Sequence, residues 1–187
     1  MNKKSIFLFI VFINILLLNS CFKGNIHFGE GSGGNGEGSG GNREGGVLVS
    51  EDKKADARME QIVLAINNKD KEALKSLFSS RALDETNDID VGIDSLFELL
   101  QGDINTWERV GWSSSESIEY GKSSLMIRFA FDARTDKDVY QFFVIDYDKD
   151  NINPDNQGVY MLELIMFTDE EDLGSWQDRM RAGIYIH

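Results

Sequence analysis

The sequence predicts an α+β domain in which helices come first and an antiparallel sheet follows. Apolar residues recur at helical spacing from about 51 to 100, and they alternate with a period of two from about 106 to 167. The two patterns are not interleaved, as they are in α/β proteins. At 187 residues and 41% hydrophobic, the chain is long and apolar enough for one buried core. We expect residues 49–187 to form a single domain of three helices on a curved antiparallel sheet of about four strands, with a short C-terminal helix.

Three helices are predicted before the sheet. The first covers Glu51–Asn67, where its apolar residues share one face: Ala55, Met59, Ile62, Val63 and Ile66. Asp70 is a suitable N-cap for a second helix that extends to about residue 80. The third begins at residue 88 or 90 and stops before Gly102, a residue type that commonly follows a helix C-terminus.

Four strands are predicted next. The first covers 106–120 with a bend near Gly111, and Gly121-Lys122 is a plausible tight turn into the second. The third, over 139–147, is apolar on both faces and should be central. The fourth, over 159–167, is apolar except for Glu163. A capping-box sequence at Thr168 then predicts a short helix, followed by a tail.

The N-terminal residues 1–20 are typical of a secretory signal. Two lysines precede an apolar run of thirteen residues that is too short to span a bilayer comfortably. Leu18-Asn19-Ser20-Cys21 resembles the lipobox of bacterial lipoproteins, in which the cysteine is acylated with diacylglycerol and becomes the mature N-terminus. The resemblance implies lipidation of Cys21 and stable anchoring to the membrane. A soluble secreted protein or an uncleaved anchor is the alternative.

Residues 21–48 are predicted to be a flexible tether that begins at the lipidated cysteine. Eleven of the eighteen glycines lie between residues 22 and 46, without apolar periodicity. Gly-rich segments of this kind behave as random coil. We expect the tether to hold the domain away from the membrane surface.

Residues 66–79 (INNKDKEALKSLFS) resemble the opening of many members of the nuclear-transport-factor-2-like superfamily. More narrowly, the chain resembles a family of uncharacterised bacterial lipoproteins with this cone-shaped fold, which share the lipobox, the helical opening and a tail like Trp176 and Gly183-Ile184-Tyr185. The resemblance implies a long helix packed into a bent sheet, and it implies no activity. Another α+β sheet with helices on one side is the alternative.

Composition excludes several functions. A formal charge of −13 argues against nucleic acid as a partner, because phosphates require clustered Lys and Arg. One cysteine allows no internal disulfide. The two histidines are His27, in the Gly-rich segment, and His187, the last residue, so an imidazole-based catalytic or zinc site has almost nothing to be built from.

Four residues are candidates for a pocket at the sheet. Arg128 and Glu163 are isolated charges in apolar strands, and would pair if those strands were neighbours. Tyr140 and Trp112 are candidates to line a ligand cavity. The alternative is that the charges are solvated or form an ordinary cross-strand pair, and that the aromatic residues belong to the core.

Asp146, Asp148 and Asp150 stand at alternate positions, as do the first oxygen ligands of calcium loops. Gln157 occupies the position where such loops carry a bidentate Glu. We therefore expect an acidic hairpin loop, and a weak calcium site at these three residues is the alternative. No other cofactor is expected.

These observations predict a non-catalytic domain, anchored through Cys21 on the extracytoplasmic side of the bacterial cell envelope, that binds a small molecule or a protein. An immunity- or inhibitor-type lipoprotein with a basic protein partner is the second hypothesis. A carboxylate-dependent hydrolase or isomerase, with Glu163 as general base, is the third.

Overall fold

A computed structural model describes residues 49–166 and 176–187. In chain order the elements are α1 Glu51–Asn67, α2 Lys71–Ser76, α3 Ser80–Glu85, α4 Ile89–Leu99, β1 Thr106–Glu119, β2 Lys122–Arg134, β3 Val139–Asp150, a 3-10 turn Pro154–Asn156, β4 Gly158–Met166, α5 Trp176–Arg179 and β5 Gly183–Ile186. The predicted α+β order, with helices before the sheet, is confirmed. The predicted signal (1–20), Cys21, the tether (21–48) and the helix start at Thr168 lie outside the described residues.

The prediction of three helices before the sheet was wrong, because the helix predicted over 70–80 ends at Ser76 and a further short helix, Ser80–Glu85, follows it. Between α2 and α3 the backbone leaves the helical path and pairs with the start of β4. Phe78 forms a parallel bridge with Val159, Ser79 N–H donates to the Val159 carbonyl at 2.9 Å, and Val159 N–H donates to the Leu77 carbonyl at 2.8 Å. These bonds to the sheet replace the helical bonds that an uninterrupted helix would make.

The predicted helix starts are confirmed at two positions. The Asp70 carboxylate accepts a hydrogen bond from Ala73 N–H at 2.9 Å and caps α2. Asp88 caps α4, accepting from the N–H groups of Asp90 and Val91. Each side chain satisfies backbone donors that a helix N-terminus leaves without partners.

The sheet has five strands in the order β1-β2-β3-β4-β5 and is mixed. The first four strands pair antiparallel, as predicted, and β3 is the central strand. The fifth was not predicted: Gly183–Ile186, expected to be a tail, pairs parallel with β4. This strand corrects the expectation of a four-stranded antiparallel sheet.

The β1–β2 hairpin turns one residue earlier than predicted. Tyr120 and Gly121 are the two turn residues, with φ of 48° and 77°, and Glu119 pairs with Lys122. Positive φ at both central residues matches the right-handed twist of the strands. The predicted bend near Gly111 is confirmed as a register shift between Arg109 and Gly111.

One face of the sheet, here called the inner face, packs against the helices. On β2 every second residue is buried on this face: Ile127, Phe129, Phe131 and Ala133. Their partners on β3 are Asp146, Val144, Phe142 and Tyr140. With the buried side of α1, which includes Met59 and Ile62, they form one hydrophobic cluster. The opposite side of the sheet is called the outer face.

Candidate functional site

Arg128 and Glu163 lie on the outer face, but not on neighbouring strands. Arg128 is on β2 and Glu163 on β4, with β3 between them. The condition under which we expected a cross-strand ion pair is therefore not met. Arg128 Nε donates a hydrogen bond to Ser113 Oγ on β1 at 3.1 Å, while the Glu163 side chain is 1% exposed.

Glu163 contacts His187, a residue for which the sequence indicated no role. His187 Nε2 lies 3.0 Å from Glu163 Oε1. The His187 backbone N–H donates to the Leu164 carbonyl at 2.9 Å, which extends the pairing of β5 with β4 by one residue. The pair exists only because β5 runs parallel to β4, an arrangement that no local pattern indicates.

Tyr140 and Trp112 occupy different environments. Tyr140 is buried in the core, and its hydroxyl accepts a hydrogen bond from Gln101 N–H at 3.3 Å. Trp112, on β1, is 46% exposed. It pairs in register with Phe129 and therefore lies on the inner face. Because Arg128 and Glu163 are on the outer face, the four candidates do not line one pocket.

The three calcium candidates lie in β3, which runs to Asp150 rather than ending at the predicted 147. Asp150 organises the turn that follows: its carboxylate accepts from Ile152 N–H at 2.9 Å, Asn153 N–H at 2.7 Å and Asn156 Nδ2 at 2.8 Å. Burial acts to raise the pKa of Asp150, but the hydrogen bonds led by Asn153 outweigh it, and the pKa is lowered.

Asp146 and Asp148 form ion pairs with α1. Lys54 Nζ lies 2.7 Å from Asp148 Oδ2, with both side chains partly exposed. Arg58 Nε lies 3.1 Å from Asp146 Oδ1, but the N–H is poorly directed at the oxygen, so we treat this contact as electrostatic rather than as an aligned hydrogen bond. Burial raises the pKa of Asp146, and Arg58 opposes that rise. Within residues 49–166 and 176–187, no group of three His, Cys, Asp or Glu is arranged to hold a metal.

A separate polar contact joins α3 to β4. The Tyr160 hydroxyl donates to Glu85 Oε2 at 2.8 Å, and the Arg81 guanidinium lies 5.3 Å from the centre of the Tyr160 ring. Burial, followed by the bond to Glu85, raises the pKa of Tyr160 to about 12. These residues attach a helix to the sheet, and we assign them no further role.

The most open feature of the domain is the free edge of β1. This strand has 14 residues, and no other strand of the described part of the chain pairs with its second edge. Residues 115–119 are all exposed. Two large apolar side chains, Trp112 and Ile118, are 46% and 62% exposed. The sequence predicted the strand, but strand order, which makes it an edge, is not a local property.

The turn geometry indicates which backbone groups of β1 face away from β2. In a two-residue hairpin the residues that flank the turn, here Glu119 and Lys122, exchange both backbone hydrogen bonds. The direction of the backbone N–H and C=O groups alternates along the strand. The unpaired groups at the free edge are therefore those of every second residue: Trp112, Ser114, Glu116 and Ile118. Their side chains lie on the inner face.

Carboxylates from the start of α1 lie beside this edge. Ser114 Oγ donates to Glu51, and Arg109 on β1 forms ion pairs with Asp52 and Asp56. The pKa of Asp52 is lowered, and the largest cause is a hydrogen bond from the Ser50 side chain. Among the described ion pairs, Arg109 is the only cation that pairs with Asp52 or Asp56, and none includes Glu51. The surroundings of the edge therefore carry excess negative charge.

The geometry defines an α+β domain with a mixed, open five-stranded sheet. Residues 61–168, more than half of the chain, match the model of a family described as a domain of unknown function, DUF5104. The chain belongs to this family. No curated protein matches the sequence. The described helices include none that is both long and apolar enough to cross a bilayer.

Proposed function

We propose that this chain is a lipid-anchored, non-catalytic protein-binding domain of the bacterial cell envelope. The observation that carries the proposal is the free edge of β1, with Trp112 and Ile118 exposed beside it. Unpaired backbone groups along a strand form a template on which another chain can add. Proteins commonly use such edges to bind extended segments of their partners.

The packing of the inner face favours a protein over a small molecule as the partner. In cone-shaped folds a ligand cavity would lie between the helices and this face. Here Phe129, Phe131 and Phe142 are fully buried against α1, together with Met59 and Ile62. Close-packed apolar side chains leave little room for a polar ligand.

The membrane anchor is supported by the sequence alone. The lipobox-like run that ends at Cys21 follows a signal-like segment, and a Gly-rich stretch separates it from Glu51, where α1 begins. Diacylglycerol carries two acyl chains, which suffice for stable anchoring. We also infer a relationship to the nuclear-transport-factor-2-like cone, supported by the order of helices and antiparallel strands, although β5 and the additional helix depart from the expected pattern.

Photo-crosslinking in cells tests the protein-binding function. A photoreactive amino acid replaces Ser115 at the β1 edge, and in a control variant it replaces Lys137, which is exposed between β2 and β3. Envelope fractions are then analysed by mass spectrometry. We expect one protein to be captured from Ser115 and not from Lys137. The absence of any captured protein from Ser115 would overturn the proposal.

The contact between Glu163 and His187 favours one other function. A buried carboxylate 3.0 Å from an imidazole is an arrangement that general acid–base catalysis uses. This geometry supports the hydrolase or isomerase hypothesis with Glu163 as the base. Purified protein would be screened against chromogenic ester, amide and phosphoester substrates, with Glu85→Gln as a surface control. Turnover that Glu163→Gln abolishes and Glu85→Gln preserves would establish the enzyme.

A further inference from the structure

A strand added to the free edge of β1 would meet two different surfaces. On the inner face its side chains would lie beside Trp112, Glu116 and Ile118, with Glu51 adjoining Ser114. On the outer face they would lie beside the alternating residues Ser113, Ser115 and Ser117. One side of an added strand therefore meets apolar groups at its ends and carboxylates between them. The other side meets small hydroxyls, one of which, that of Ser113, accepts a hydrogen bond from Arg128.

From this arrangement we propose that the partner presents an extended, cationic segment, which adds antiparallel to β1 as a sixth strand. This rests on the proposed protein-binding function. The segment carries Lys or Arg opposite Ser114 and Glu116, and apolar residues opposite Trp112 and Ile118. Its residues on the other face are small and polar. Opposite charges across strands stabilise pairing, and like charges oppose it.

Charge complementarity favours this occupant over a second copy of the chain. If two β1 strands paired so that Trp112 faced Ile118, each Glu116 would lie opposite Ser114, whose side chain is bonded to Glu51. The pairing would bring carboxylates together at two symmetric places. It would also join two chains that each carry a net charge of −13.

A synthetic peptide, acetyl-ITKTKTITK-amide, is the probe. Paired antiparallel, its isoleucines face Ile118 and Trp112, and its two central lysines face Glu116 and Ser114. The peptide's isoleucines and central lysines, which face these side chains of β1, also direct their backbone N–H groups to β1. Methylating the backbone nitrogens of the central lysines and second isoleucine removes donors to β1. Methylating those of the first three of its four threonines removes only donors that point to solvent, and is the matched control.

Binding is measured by fluorescence anisotropy with the purified protein. We expect the threonine-methylated peptide to bind like the parent peptide, and the other methylated peptide to bind about tenfold more weakly or worse. A peptide with Glu in place of Lys should not bind, and higher salt should weaken the parent peptide. Equal affinity of the two methylated peptides would show electrostatic attraction without strand addition and would overturn the proposal. Stronger loss from threonine methylation would overturn the assigned register.

A protein variant provides an independent arm. The Glu116 N–H points to the free edge, so Glu116→Pro removes a donor to the peptide without removing a bond to β2. We expect it to abolish peptide binding with an unchanged circular dichroism spectrum, whereas Glu116→Gln weakens binding severalfold. Should Glu116→Pro fail to fold, the methylated peptides still decide the question. Peptide binding by folded Glu116→Pro at wild-type affinity would contradict strand addition.

The remaining outcomes separate this proposal from the one on which it depends. Capture of a protein from Ser115, combined with equal affinity of the two methylated peptides, would leave protein binding in place and refute strand addition. No capture and no peptide binding would refute both. If sedimentation finds a dimer that Glu116→Pro dissociates, the occupant is a second copy, and the cationic segment is refuted.

Discussion

Removing the guanidinium of Arg58 should lower the free energy of unfolding, because the buried Asp146 carboxylate beneath α1 then loses its counter-charge. Arg58 lies 3.1 Å from Asp146, whose side chain is 4% exposed, while that of Arg58 is 20% exposed. In Arg58→Met the hydrocarbon volume is kept and the counter-charge is lost. Breaking a buried ion pair costs about 3–5 kcal/mol, and partial exposure of Arg58 reduces this to about 2–3 kcal/mol near neutral pH.

The loss should depend on pH in a defined direction. In the unfolded chain the Asp146 carboxyl has its ordinary pKa of 3.8, and burial raises that pKa in the folded protein. The folded state therefore holds this proton more tightly, and ionisation of Asp146 lowers the free energy of unfolding as pH rises above 3.8. Without Arg58 the pKa rises further. The destabilisation by Arg58→Met should be largest near pH 7.5 and should shrink as the pH falls towards 4.5, because protonation of Asp146 removes the buried charge.

Urea denaturation at the two pH values measures this effect. The double variant Arg58→Met/Asp146→Leu replaces the pair by apolar side chains and should recover the stability that the single variant loses, with little pH dependence. Lys54→Met is the matched control, because it breaks the more exposed pair with Asp148 and should cost less than about 1 kcal/mol. An equal loss at both pH values, or a double variant no more stable than Arg58→Met, would refute the electrostatic account.

Three further predictions concern other parts of the chain. Gly158→Ala should lower the free energy of unfolding by about 2–4 kcal/mol, because φ is +121° and a Cβ would lie 2.9 Å from the Leu77 carbonyl oxygen. The control Gly111→Ala, with no atom within 4 Å of its Cβ, should cost less than about 1 kcal/mol in the same urea titration. Equal costs for the two variants would contradict this prediction. Millimolar calcium should leave the melting temperature unchanged, since each aspartate of β3 already has partners, and a rise that Asp148→Ala removes would establish a metal site. Cys21→Ser should move the protein from the membrane to the soluble fraction, and continued membrane association would refute lipidation.

The helices and strands that local spacing defines were predictable. Glu51–Asn67 has the predicted bounds because its apolar residues recur at helical spacing over four turns. Strand β2 was predictable because one of its sides is buried and the other is more polar, and β3 and β4 were predictable because both of their sides are largely apolar and covered. In these segments local preference and tertiary packing favour the same structure.

Structure that depends on distant pairing was not predictable. Gly183–Ile186 is too short to show a period, and only its pairing with β4 makes it a strand. Leu74, Leu77 and Phe78 fit a helical stripe, yet the chain turns at Phe78 to reach Val159. In both places backbone hydrogen bonds to another part of the chain override the local pattern.

The same distinction applies to the candidate site. Glu163 was identified as unusual because a charge in an apolar strand requires a partner, and it is indeed buried. Its contact with His187 depends on the direction of β5, and the free edge of β1 depends on the order of all five strands. A single sequence contains no local record of either.

The two borders of the sheet differ, and this sets a limit on assembly. Beside β4 the chain itself supplies residues 77–79 and then β5, which packs against α4 through Ile184 and Gly92. Among the described strands, β1 is the longer of the two border strands, with 14 residues against four in β5. A foreign strand can form more backbone hydrogen bonds along the longer strand. Complexes formed by strand addition should therefore use the β1 border.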